Sequence, residues 1–118
     1  MLEKAFAERF VQGWIAAWNA HDLDRILSHY TDDFEMTSPL IVEMAGEPSG
    51  RLQGKSAVGT YWAHALTAHP GLRFEHLATF AGMGSVALQF RWEGGVATEV
   101  FFFTPERKVH RAFAHHAT

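Results

Sequence analysis

The stretch SVALQFRWEGGVATEVFFFT, residues 85–104, decides the fold class. It contains two apolar runs, Ser85–Trp92 and Val96–Thr104, joined by a Glu-Gly-Gly turn. Short glycine-bearing connections between strand-like runs are typical of β-hairpins, whose strands pair antiparallel. Two further runs of this kind, Leu72–Ala81 and Lys108–His115, flank the hairpin. The second half of the chain therefore predicts a four-stranded antiparallel meander.

The first helices are predicted upstream of this meander. Apolar residues recur about every four positions from Leu2 to Trp18, which is the stripe of an amphipathic helix, and this helix should end near Asn19. Asp22 is a plausible N-cap for a short second helix that runs from Leu23 to about Tyr30.

A strand and a third helix complete the first half. The strand is predicted from Phe34 to Ser38, residues 46–54 are predicted to be a loop, and the helix runs from Ser56 to about His69. Helices that precede a meander predict an α+β fold with the helices packed on one face of the sheet. We expect a single domain over residues 1–118.

Composition excludes several classes of protein. The chain is 47% hydrophobic, and its net charge is −3 with scattered basic residues, so we expect no nucleic-acid partner. No apolar run approaches the roughly 20 residues of a membrane span, and there is no secretory leader pattern, so we expect no membrane partner and a cytoplasmic location. The chain has no cysteine, no dinucleotide or phosphate-loop motif and no good metal-binding spacing, so no cofactor or metal is predicted.

The segment WIAAWNAHDLDRILSHYTDDFEMTSP, residues 14–39, resembles the opening of the NTF2-like superfamily on its SnoaL-like and ketosteroid-isomerase-like side. Residues 54–57 look like the start of the third helix of that family, and residues 99–111 are similar to its final hairpin. The resemblance implies a cystatin-like α+β roll, in which a strongly curved, cone-shaped antiparallel sheet wraps around three helices and leads to an apolar pocket. It also implies a homodimer through the outer sheet face at Val100 and Phe102.

The only charged residue between Val96 and Thr104 is Glu99. Both faces of this strand are apolar, so alternation leaves the direction of Glu99 open. If it faces a pocket, burial should raise its pKa above about 4.3 and make it a usable acid, base or ligand anchor. If it faces outward, it lies at a dimer interface or pairs with Arg91 or Arg111.

The resemblance carries the family's catalytic positions onto this chain. Its late-strand carboxylic acid falls at Glu99 and its carboxylate base at Ser38, while its helix tyrosine falls at Trp14. A serine has no proton affinity near neutral pH, so the usual route of ketosteroid isomerases is not expected. Further pocket positions of the family fall at Tyr30 and Trp62.

The predicted pocket contains candidate catalytic residues and candidate ligand-binding residues. The candidate catalytic residues are Glu99, Ser38, Tyr30 and His110. The candidate ligand-binding residues are Trp14, Phe34, Met36, Trp62, Leu88, Phe90, Phe101, Phe103, Ala112 and His116. We expect an enzyme that isomerises, cyclises or hydrates a small hydrophobic carbonyl compound, and the alternative is a non-catalytic ligand-binding or dimerisation module of the same fold.

Overall fold

One six-stranded sheet and four helices form the structure. The computed structural model describes all residues, 1–118. The elements are α1 (Lys4–Asn19), α2 (Leu23–Leu27), β1 (Tyr30–Thr37), α3 (Pro39–Ala45), β2 (Arg51–Gln53), α4 (Lys55–Ala68), β3 (Glu75–Ala81), β4 (Ser85–Trp92), β5 (Gly95–Phe103) and β6 (Val109–His116). The predicted α+β class is confirmed.

The sheet has the strand order β2-β1-β6-β5-β4-β3. Strands β3 to β6 form the predicted antiparallel meander, and β2 also runs antiparallel to β1. Strand β1 instead pairs with β6 in parallel, so four of the five pairings are antiparallel. This direction could not be derived from turn residues, because no short turn connects β1 with β6.

The concave face of the sheet carries the core. On β5 the alternate residues Ala97, Glu99, Phe101 and Phe103 are buried, whereas the residues between them are partly exposed. Helix α1 packs on this face, where the ring of Phe10 lies 4.8 Å from that of Phe101 in an edge-to-face contact. Strand alternation and helix packing together turn Glu99 inward.

The second helix is shorter than predicted. It ends at Leu27, and Tyr30 begins β1 instead of closing the helix. The reason is tertiary pairing, because Tyr30 lies opposite Val109 of β6 and the N–H of Val109 donates to the carbonyl of His29 at 2.8 Å. A ladder with a strand about 80 residues away is invisible to local helix propensity.

Helix α3 was not predicted. The Oγ of Ser38 accepts a hydrogen bond from the N–H of Leu40 at 3.2 Å, Pro39 occupies the first turn, and Gly46 ends the helix with a φ of 69°. These are the usual start and stop signals of a helix. The sequence patterns predict only the end of a strand at Ser38 and a loop over residues 46–54, and that loop also contains the short strand β2.

The outer sheet face has a partial cover of its own. The guanidinium of Arg111 lies over the rings of Phe102 and Phe113, at 5.7 and 5.2 Å from their centroids. A homodimer through this face stays a prediction. Every helix in the structure is too short or too polar to cross a membrane, and the cytoplasmic location stays a prediction as well.

Candidate active site

A cavity of about 280 Å³ opens between the helices and the concave face of the sheet. Its walls come from α1, α3, α4 and the inner faces of β1, β4, β5 and β6, and 13 of its 17 lining residues are hydrophobic. The lining residues are Trp14, Trp18, Met36, Ser38, Leu40, Met44, Tyr61, Trp62, Ala65, His69, Leu72, Phe74, Phe90, Trp92, Glu99, Ala114 and His116. This volume is at the small end of the range for ligand pockets, which suits a compound of one or two rings.

The carboxyl group of Glu99 is buried in this wall. The residue is 5% exposed, and its Oε2 atom has no hydrogen-bond partner in the protein. Burial among apolar groups raises the pKa of Glu99 to about 8, because the charged form loses its hydration without gaining a partner. Both protonation states are therefore accessible near neutral pH, which general acid–base catalysis requires.

The arginines considered as partners for Glu99 pair elsewhere. The Nε of Arg91 lies 3.7 Å from a carboxylate oxygen of Glu75, and the Nε of Arg111 lies 3.6 Å from one of Glu35. Both arginines point to the outer face of the sheet, where strand alternation places them. The outward interpretation of Glu99 is therefore wrong.

Two phenols are electrostatically coupled to Glu99. The indole N–H of Trp14 donates to the hydroxyl of Tyr30 at 2.9 Å, and both groups are buried. Burial raises the pKa of Tyr30 well above its usual value, and the charge of Glu99 adds to this shift. Burial and the same charge raise the pKa of Tyr61 to about 12. Tyr61 lines the cavity, whereas Tyr30 lies behind its wall.

Unpartnered polar atoms are concentrated in the cavity. Four buried side-chain nitrogen or oxygen atoms of the chain lack a hydrogen-bond partner: Trp18 Nε1, Trp92 Nε1, Glu99 Oε2 and His116 Nε2. All four belong to residues that line the cavity. Buried polar groups in folded proteins are almost always hydrogen-bonded, so these four atoms are candidates for hydrogen bonds with water or with a ligand. No three His, Asp or Glu side chains come together to hold a metal ion.

Comparison with known proteins identifies the family. The SnoaL-like domain family matches residues 11–117. This chain belongs to the SnoaL-like domain family. A SnoaL-like protein of unknown function from Burkholderia thailandensis shares 58% sequence identity with it, over 98% of each chain, with a TM-score of 0.95. The predicted membership is therefore confirmed.

More distant structures share the fold. An Agrobacterium tumefaciens protein, described as a candidate isomerase of the SnoaL-like family, is 17% identical over 95% of this chain and 99% of its own, with a TM-score of 0.72. TerC, crystallised with polyporic acid, is 16% identical over 95% of this chain and 91% of its own, with a TM-score of 0.75. At these identities the likeness concerns the fold alone. No curated protein matches the sequence.

Two of the predicted catalytic residues, Ser38 and His110, are not free to act in the cavity. Ser38 lines the cavity, but its hydroxyl oxygen is engaged as the N-cap of α3. His110 is exposed and lies outside the cavity, contrary to its prediction as a catalytic residue of the pocket. The physical reason is a β-bulge: Phe102 pairs with Arg111 and Phe103 with Val109, which leaves His110 as the extra residue and reverses its direction.

The predicted ligand-binding residues divide into cavity and core. Five of them line the cavity, namely Trp14, Met36, Trp62, Phe90 and His116. The other five are buried on the inner face but do not reach the cavity: Phe34, Leu88, Phe101, Phe103 and Ala112. Helix α1 fills part of the cone, since Phe10 packs on Phe101 and lies 4.9 Å from the ring of Phe103.

Sequence reasoning missed other parts of the wall. Trp18 ends the apolar stripe of the first helix and was not among the predicted pocket residues, and Leu40 and Met44 lie on the helix that was not predicted. Tyr61 and Ala65 lie beside the predicted Trp62 on α4 at helical spacing, and His69 follows as the C-cap of this helix. That spacing is the one signal that could have extended the prediction from Trp62 to its neighbours.

Proposed function

We propose that this SnoaL-like protein binds a small, largely apolar carbonyl compound and that Glu99 transfers a proton at the carbon next to the carbonyl group. One observation carries this proposal. The carboxyl group of Glu99 is buried in the aromatic wall of the cavity and has no hydrogen-bond or ion-pair partner within the protein. Such a carboxyl group is destabilising unless a ligand uses it, and perturbed carboxyl groups in clefts are concentrated at functional sites.

The proposed step is an enolisation. The carboxylate of Glu99 takes the proton from the carbon next to the carbonyl, and the electrons of the broken C–H bond form the enolate. The phenol of Tyr61 lines the same cavity and senses the charge of Glu99, so it is our candidate donor to the enolate oxygen. Return of the proton from Glu99 to another carbon completes an isomerisation. Alternatively, attack of the enolate carbon on a second carbonyl carbon closes a ring, and Glu99 gives its proton to the alkoxide that forms.

The composition of the cavity supports an uncharged ligand. No lysine or arginine lines it, and most of the wall is aromatic or aliphatic. Proteins of this fold can hold organic molecules, as TerC does with polyporic acid. The volume of about 280 Å³ favours one or two rings over a larger polycyclic compound.

The proposal can be tested with 2-tetralone, a two-ring ketone with acidic hydrogens next to its carbonyl. Exchange of these hydrogens in D2O, followed by NMR, should be accelerated by the protein. We expect Glu99→Gln to reduce the accelerated rate by at least about 100-fold, the usual range for a general base. The rate should rise with pH until about 8, because the carboxylate is the active form and the pKa of Glu99 is about 8.

A matched control is Glu35→Gln, which changes a strand glutamate outside the cavity and should leave exchange unaffected. If Glu99→Gln exchanges as fast as the wild-type protein, Glu99 is not the base. Binding of 2-tetralone in a thermal-shift assay without any exchange would instead favour the alternative, a non-catalytic ligand-binding domain.

A further inference from the structure

We propose that Trp92 and His116 form a second polar subsite of the cavity, which binds an uncharged oxygen acceptor of the ligand at a distance from Glu99. The acceptor would be an ether, a second carbonyl or a phenol oxygen. This inference rests on the proposed function, because it assumes the same cavity and the same class of ligand.

The two side chains approach each other from opposite sides of β5. Trp92 ends β4 and lies opposite Gly95, while His116 ends β6 and lies opposite Ala97. Their rings meet in an edge contact with centroids 5.7 Å apart. Ala97 and Glu99 are two residues apart on the inner face of β5, so the subsite begins about 7 Å along the strand from Glu99 at about 3.3 Å per residue.

The indole of Trp92 packs against the turn that follows β4. A Cβ atom on Gly94 would lie 2.3 Å from Cζ2 and 2.6 Å from Cε2 of Trp92, so the ring lies directly against the glycine. The φ angle of Gly94 is outside the left-handed region, so the neighbouring indole, and not the backbone conformation, excludes a side chain there. An alanine at this position would therefore have to displace the indole, and with it the Nε1 atom.

The chemistry of the two nitrogen atoms defines the ligand group. Both Trp92 Nε1 and His116 Nε2 are buried without a hydrogen-bond partner in the protein. An indole N–H can only donate, so its partner must be an acceptor. Burial lowers the pKa of His116, which keeps the imidazole neutral near pH 7 and lets Nε2 donate or accept. With no lysine or arginine in the wall, nothing compensates a negative charge, and an uncharged oxygen fits best.

A pair of ligands of equal size tests the subsite. 6-Methoxy-2-tetralone and 6-ethyl-2-tetralone differ in that only the first carries an acceptor on the far ring. We expect the wild-type protein to bind the methoxy compound about five-fold more tightly, the usual effect of one net hydrogen bond. Trp92→Phe should abolish this preference. Glu35→Gln should keep it, because Glu35 lies outside the cavity and pairs with arginines on the outer face of the sheet.

Two further measurements test the subsite even if Trp92→Phe does not fold. The indole N–H resonance of Trp92 in the 15N-labelled wild-type protein should shift with the methoxy compound and stay in place with the ethyl compound. Gly94→Ala should also remove the preference, since the new methyl group displaces the indole. Gly71→Ala is its control, because a Cβ atom there meets nothing within 4 Å.

The outcomes separate this inference from the proposed function. Equal affinity of the wild-type protein for the two compounds overturns the subsite. The subsite is also overturned if Trp92→Phe keeps the preference and the methoxy compound does not shift the Trp92 resonance of the wild-type protein. If both compounds still undergo exchange that depends on Glu99, the proposed function stands without it. A methoxy preference without any exchange supports the subsite and overturns the catalytic role of Glu99.

Discussion

Two glutamates on strands of the sheet, Glu35 and Glu99, have opposite environments. The carboxylate of Glu35 lies 3.4 Å from a guanidinium nitrogen of Arg51 and 3.6 Å from one of Arg111, on neighbouring strands. Its side chain keeps about a quarter of its surface exposed. Glu99 is on the inner face, is 5% exposed and has no hydrogen-bond or ion-pair partner.

The difference shows that a carboxylate charge is compensated on the outer face of the sheet but not on the inner face. On the outer face, water and arginines from adjacent strands compensate a carboxylate. On the inner face, the aromatic core provides neither, so Glu99 reduces the stability of the folded protein whenever it is ionised. A group that opposes folding in this way is expected at a functional site, and this supports the role that we propose for Glu99.

The largest expected effect is on the pH dependence of stability. Because the pKa of Glu99 is raised to about 8 in the folded protein, the folded state binds more protons than the unfolded state between about pH 4.5 and pH 8. In that window Glu99 is ionised in the unfolded chain but stays protonated in the folded protein, so the free energy of unfolding should fall by up to about 1.4 kcal/mol per pH unit as the pH rises. Glu99→Gln should remove this contribution, so its urea denaturation midpoint should exceed that of the wild-type protein most clearly at pH 9.

The comparison would fail if Glu99→Gln and Glu35→Gln changed the pH profile in the same way. Each variant should therefore be measured against the wild-type protein at pH 5, 7 and 9. A profile for Glu99→Gln that runs parallel to the wild-type profile would mean that Glu99 finds a partner in solution.

A smaller effect on the free energy of unfolding is expected from the buried hydrogen bond between Trp14 and Tyr30. Tyr30→Phe would leave the indole N–H of Trp14 buried without its acceptor, and this should cost about 1–3 kcal/mol of unfolding free energy. Tyr61→Phe is the matched control, because no hydrogen bond joins the Tyr61 hydroxyl to the protein and its loss should have little effect on stability. Equal destabilisation by the two changes would show that the Trp14–Tyr30 bond contributes nothing specific.

The smallest effect is expected for the paired glutamate. Glu35→Gln should lower the unfolding free energy by less than about 1 kcal/mol, because exposed ion pairs contribute little. The loss should shrink in 1 M salt, where the charges are screened. A loss above about 2 kcal/mol, or one insensitive to salt, would mean that Glu35 supports the sheet by packing and not by charge.

The sequence alone determined the α+β class, the meander and the family. Hairpin turns and helical periodicity are local patterns, so residues 85–104 were sufficient to predict two paired strands. The strand β4 was predicted with its observed bounds, and β5 within one residue at each end. The sequence also singled out Glu99, because a charge within a run of apolar residues is conspicuous wherever it points.

Tertiary structure alone decided how these residues are used. Alternation could not orient Glu99 on a strand with two apolar faces, and packing of α1 on the concave face resolved its direction. A bulge in the pairing of β5 with β6 turned His110 outward, and the turn glycine Gly94 leaves the space that the indole of Trp92 occupies. The physical reason is the same in each case. The cavity is formed by elements distant in sequence, and its polar groups depend on register and close contact, which local patterns do not encode.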